Sequence, residues 1–130
     1  MQRLFGTAPK PAARLKGWGS SHDEATIKAR IELGELKAYI EAIEGVFKEY
    51  FASLPPEAGR DVLIDGTIRR DGKADLPITT TVEGLLDDAV LTPLYNRLFA
   101  LPTPPVKEGP VGFRAVFALW GGSASRPFGV

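Results

Sequence analysis

The sequence predicts an α+β domain in the order helix, strand, strand, helix, strand: a small antiparallel three-stranded sheet with two helices packed on one face. Three observations lead there. Apolar residues recur every three or four positions from Ile27 to Leu54, apart from one step of five between Ile31 and Leu36, and again from Leu86 to Leu98, the spacing of one helical face. They alternate with polar residues on both sides of Asp71-Gly72 and again from Val111 to Leu119, the period of a strand. Each of these five segments has one apolar face, and helices laid on one side of a sheet bury all five together.

Residues 1–21 read as an extended basic arm. They carry Arg3, Lys10, Arg14 and Lys16 and no acid, and Pro9 and Pro11 oppose a helix. The arm is expected to have little regular structure, either solvated or docked on an acidic or apolar partner. Residues 22–121 read as the single folded domain. Ser21 and Glu24 fit a capping box, with Asp23 and Glu24 well placed for the helix dipole. The first helix then presents Ile27, Ile31, Leu36, Ile40, Ile43, Phe47, Tyr50, Phe51 and Leu54. Gly34 and Gly45 each weaken it by about 1 kcal/mol relative to Ala, so a break is expected near Gly34. Pro55-Pro56 end it.

The hairpin register follows from its faces. A two-residue loop at Asp71-Gly72 sets Ile68 opposite Asp75 and Ile64 opposite Thr79, apolar against polar on each rung. A three-residue loop, Arg70-Asp71-Gly72, sets Ile68 opposite Ala74, Gly66 opposite Leu76, Ile64 opposite Ile78 and Val62 opposite Thr80. The second register makes one face apolar and requires a left-handed residue at Gly72. Arg69, Arg70, Asp71, Lys73 and Asp75 then become a solvated tip rather than a site. Pro77 cannot donate to a ladder, which makes its strand an edge.

The second helix spaces Leu86, Val90, Leu94 and Leu98 by four, with a kink expected at Pro93. The Pro-rich stretch 101–110 is an extended connector. In the last strand Val111, Phe113, Ala115, Phe117 and Leu119 face the helices. Arg114, Val116, Ala118 and Trp120 face away from them, an unusually apolar set for a solvated surface. Residues 122–130 read as a loose tail.

Composition removes several function classes. The 130 residues are 44% hydrophobic and 25% charged, with 16 basic and 16 acidic side chains, so no net charge draws nucleic acid or an anionic membrane. Without cysteine there are no disulfides, thiolate metal ligands or cysteine nucleophiles. No apolar run approaches the roughly 20 residues of a membrane span, and the first 21 residues lack the apolar centre of a secretory signal. His22, the single histidine, reads as a solvated residue at a helix start, and no metal site is expected. The glycines of residues 17–22 lack the third glycine and preceding strand of a dinucleotide loop. Asp87 and Asp88 point about 100° apart on a helix and do not make a catalytic carboxylate pair. No catalytic residue and no cofactor are expected.

The stretch 61–119 carries Asp71-Gly72 between two strands, Leu86-Asp87-Asp88-Ala89 opening a helix, Phe99 followed by Pro102, Pro104 and Pro105, and a final strand from Phe113 to Leu119. Over roughly residues 45–121 this resembles the C-terminal domain of TonB-like energy transducers, closest to the variant found in gliding-motility proteins of the adventurous type. The family's N-terminal membrane anchor and long Pro-rich linker have no counterpart in this chain, and its opening Tyr-Pro pair is replaced by residues 49–56. The resemblance implies the α+β fold and a partner peptide bound by adding a strand to a sheet edge.

The expected function is therefore a non-enzymatic protein-interaction module that takes a partner segment at the edge of the final strand. Arg114, Val116, Ala118 and Trp120 are the candidate contacts, with Trp120 as anchor. In the competing arrangement Trp120 folds back over the basic arm, against Trp18. The alternative function is a small accessory subunit of a large assembly, with both tails embedded in neighbours.

Overall fold

In the computed structural model, which describes residues 12–55, 59–80 and 88–121, the chain runs β1 (Ala13–Gly19), α1 (Glu24–Arg30), α2 (Leu33–Ala52), β2 (Arg60–Ile68), β3 (Ala74–Asp75), β4 (Ile78–Thr80), α3 (Asp88–Phe99) and β5 (Val111–Leu119). The fold is mixed α+β, and its antiparallel sheet is larger than three strands. The order is β1-β5-β2, with β3 and β4 both on the far side of β2. The second hairpin strand is split into β3 and β4 at Leu76-Pro77, and β1 adds a strand at the other edge.

β1 corrects the reading of residues 1–21 as an arm with little regular structure. Residues 13–19 are extended, but they pair with β5 from Ala13↔Leu119 to Gly19↔Arg114. The register shifts by one between Leu15 and Gly17, a bulge at Lys16. Ala13 is fully buried, and Leu15 and Trp18 pack on the core. The bulge is why the strand is hard to read: it moves the apolar positions from odd to even residues. Residues 1–11 and the tail 122–130 lie outside the described residues.

The hairpin has the expected register. Ile68 pairs with Ala74, Ile64 with Ile78 and Val62 with Thr80. Arg69 N–H donates to the Lys73 carbonyl at 2.8 Å, closing the loop, and Gly72 takes φ 84°. The tip is solvated: Arg69 pairs with Asp75 and Asp71, and the Asp71 carboxylate accepts from the Lys73 N–H at 3.0 Å. The ladder stays in register across the gap, because the Asp65 N–H donates to the Pro77 carbonyl at 3.3 Å. Proline has no N–H to return, so the pairing breaks there.

One long apolar stripe becomes two helices. Asp23, not Ser21, caps α1: its carboxylate accepts from the Thr26 N–H at 2.7 Å. The break falls at Ile31, just ahead of Gly34. Ile31 is extended (φ −153°, ψ 151°) and bridges Val106, while the Arg30 carbonyl accepts from the Lys107 N–H at 2.7 Å. The helix stops to pair with the connector. α2 ends at Ala52, where the Ser53 hydroxyl donates to the Tyr50 carbonyl at 2.6 Å. α3 continues through Pro93, and Tyr50 ties it to α2 by donating to the Val90 carbonyl at 2.7 Å. Leu86 and Asp87, on which part of the helix pattern rested, lie outside the described residues.

The core lies between the helices and one sheet face. Leu36, Ile40, Ile43, Phe47 and Phe51 of α2 meet Val62, Ile64, Ile68, Ala115 and Phe117, all fully buried. Gly66 makes room for an aromatic there: a β-carbon on it would stand 2.3 Å from the Phe113 ring. That ring instead lies over the glycine and meets Tyr39 edge-on, centroids 6.3 Å apart.

Candidate docking edge

The four residues expected to bind a partner do not form one surface. β5 is an interior strand, flanked by β1 and β2, so it has no free edge. The expectation of docking at the final-strand edge is corrected by β1, which already occupies it. Arg114 is exposed and Val116 half-buried on the sheet face away from the helices, as expected. With Gly17, Gly19, Ser20 and Asp65 they line an open hollow of about 560 Å³. Arg114 donates to both Asp65 carboxylate oxygens, at 2.9 and 3.4 Å, and these bonds push its guanidinium pKa up. Ala118 is buried.

Trp120 leaves this set altogether. It takes φ 49°, a left-handed conformation that costs a non-glycine residue about 1 kcal/mol or more. The turn carries its ring to the helix side, edge-on to Phe51 with centroids 5.7 Å apart, and Arg60 lies 5.9 Å over it. Its N–H donates to the Ala12 carbonyl at 3.1 Å. Trp120 is thus folded back on its own domain, against α2 rather than Trp18.

The sheet face away from the helices holds two features that the sequence reading missed. Asp61 is fully buried, with Lys16 Nζ 2.9 Å from its carboxylate. His22 is half-buried rather than solvated. Its Nε2 accepts from the Gly112 N–H at 3.1 Å, while Ser20 donates to the Gly112 carbonyl at 2.6 Å. His22 is thereby a clasp between the end of β1 and β5. No local pattern marks either contact, because each joins residues at least 45 positions apart.

The sheet edges are β1 and the β3–β4 run. On β1 the Leu15 N–H points away from β5, and the Glu44 carboxylate of α2 accepts it at 2.6 Å. On β4 the Ile78 N–H points away from β2, and the Tyr95 hydroxyl of α3 accepts it at 3.1 Å. The register turns the peptide groups of Ala74 and Leu76 the same way, and neither makes a hydrogen bond among the described residues. Beside them lies Phe99, 55% exposed and stacked on Tyr95 with centroids 5.6 Å apart and planes 12° apart. Leu76, Pro77, Tyr95 and Phe99 line a groove of about 500 Å³ along this edge. Asp75, Thr92 and Asn96 add polar groups to its lining, and the Ala74 peptide lies next along the strand. Outward peptide groups beside apolar side chains suit an extended chain.

No family model, curated protein or solved structure matches this chain. Among the described residues no group of three or more His, Asp or Glu side chains is placed to hold a metal ion, and no helix is long and apolar enough to cross a membrane.

Proposed function

We propose that this chain is a non-enzymatic protein-interaction module that takes an extended partner segment along its β3–β4 edge. The observation that carries the reading is the pair of outward peptide groups at Ala74 and Leu76, set beside the exposed Phe99 ring. Unpaired edge groups bind a strand through its backbone, and an adjoining apolar groove selects alternate side chains. The strand-addition mode implied by the resemblance to TonB-like domains supports the same reading, moved from the final strand to the opposite edge.

An array of ten-residue peptides with alternating apolar positions tests it. Ala74→Pro removes the outward N–H without touching the β2 ladder, a position where an edge strand tolerates proline. The native protein should bind a subset of the array. Ala74→Pro and Phe99→Glu should lose that binding while circular dichroism stays unchanged. Binding that survives both substitutions would place the interaction elsewhere.

A further inference from the structure

At the hairpin end of the same edge lies a second, more enclosed cavity of about 310 Å³, near the lower limit for a small-ligand pocket. Leu98, Phe99 and Leu101 line it, and so does Ala74, whose peptide group makes no hydrogen bond among the described residues. Tyr39, Lys73 and Thr103 add polar groups to its lining. Tyr39 is only 5% exposed, yet its hydroxyl makes no hydrogen bond among the described residues. A phenol left in that state carries the desolvation penalty of its hydroxyl without a compensating bond. The burial also pushes its pKa up, so it keeps its proton and can donate. Lys73 lines the cavity and has no ion pair among the described residues, whereas Arg69 beside it is held by Asp71 and Asp75. Thr103 Oγ1 spans the rim, donating to the Gly72 carbonyl at 2.9 Å.

A protonated phenol hydroxyl, an ammonium with no ion pair among the described residues and the outward Ala74 N–H can each donate to an acceptor carrying negative charge. The apolar walls seek a hydrophobic side chain on the same ligand. A chain terminus that lies along β3 supplies both, one residue from the end of its backbone hydrogen bonds.

Resting on the strand-addition reading, we propose that this cavity binds the carboxy-terminal residue of the partner segment. The terminal carboxylate sits between the Lys73 ammonium and the Tyr39 hydroxyl. The last side chain, aromatic or branched aliphatic, fills the space between Phe99 and Leu98. The residues before it pair with Ala74 and continue toward Leu76. The partner is thus recognised by its free end as well as by its alternation.

Titration calorimetry with three probes tests this: acetyl-Ala-Val-Ala-Phe with a free carboxylate, the same peptide as its carboxy-terminal amide, and 3-phenylpropionate. The free acid should bind at least tenfold tighter than the amide, and 3-phenylpropionate should bind weakly in competition with it. Tyr39→Phe and Lys73→Gln should each weaken the free acid about tenfold and leave the amide unchanged. Tyr39→Phe should not lower the melting temperature of the unliganded protein, because it removes a buried group with no hydrogen bond among the described residues. Equal affinity for acid and amide, both lost in Ala74→Pro, would overturn the chain-end inference and leave strand addition standing. Failure of all three probes would overturn the inference. A melting temperature that falls in Tyr39→Phe would show that the hydroxyl has an internal role instead.

Discussion

β1 and the β3–β4 run are the two edges of one sheet, and they are finished in different ways. β1 lies against α2 and has a carboxylate of that helix on its outward N–H, at 2.6 Å from Leu15. Its inward side chains Ala13, Leu15 and Trp18 join the core. The opposite run is interrupted by Pro77 and has a hydroxyl on Ile78, and among the described residues the peptide groups of Ala74 and Leu76 stay open beside an exposed phenylalanine. A charged acceptor makes a hydrogen bond roughly twice as strong as a neutral one. The comparison teaches that an edge strand is not defined by being last in a sheet. What matters is whether a neighbouring helix supplies partners for its backbone.

The largest expected effect comes from the middle, where both edges are anchored. Gly66→Ala sets a β-carbon against the Phe113 ring, and overpacking of this kind costs about 1–3 kcal/mol or more. Urea denaturation should show a lower midpoint. Hydrogen exchange should show amides on both edges losing protection together. Loss at one edge only would mean that the two edges do not share a cooperative unit.

Next come the caps themselves. Glu44→Ala should accelerate exchange of the Leu15 amide by about one order of magnitude, from a loss of roughly 1.5 kcal/mol, and leave the Ile78 amide unchanged. Tyr95→Phe should do the reverse with a smaller change, since a neutral hydroxyl is lost and the ring stack on Phe99 is kept. If the two substitutions have equal effects, the contrast between the edges is one of geometry rather than of charge.

The smallest effect is a pH dependence near the β1 end. Hydrogen bonds from Thr26, through its hydroxyl and its N–H, hold the Asp23 carboxyl below the usual aspartate range. A carboxyl with a depressed pKa in the folded state adds stability above its unfolded pKa of about 3.9, and that stability is lost as the pH falls through the folded value. Stability should therefore decline below about pH 4 in the native protein. In Asp23→Ala this part of the decline should be absent, measured by thermal melts from pH 2 to pH 6. An unchanged acid slope in the variant would assign the decline to other carboxylates.

Much of the fold was legible because it depends on neighbours in the chain. The stripe from Ile27 to Phe51 marks which side of α1 and α2 is buried, and all but the break at Ile31 follows from spacing. The hairpin register was legible because a turn of three residues ending in Gly72 leaves only one pairing that keeps the apolar side chains on one face. The candidate site was much less legible. Arg114 and Val116 do lie on the outer face, but alternation says nothing about whether the strand carrying them is an edge. The useful residues, Tyr39, Lys73, Tyr95 and Phe99, come from two helices and a turn, and only the Tyr95–Phe99 pair, four apart on α3, shares a local pattern.

By itself, the sequence determined the mixed α+β class, the apolar faces and the conformation at Gly72, because period and turn chemistry act over a few residues. Tertiary structure alone decided that residues 13–19 become a strand, that β5 lies inside the sheet, that Trp120 turns back onto Phe51, and that Ala74 and Leu76 are left open. The physical reason is that a backbone donor is indifferent to which acceptor it meets. Whether β5 pairs with β1 or with a partner depends on which segment can also bury Ala13, Leu15 and Trp18 at the same time, and that condition exists only once the helices are in place.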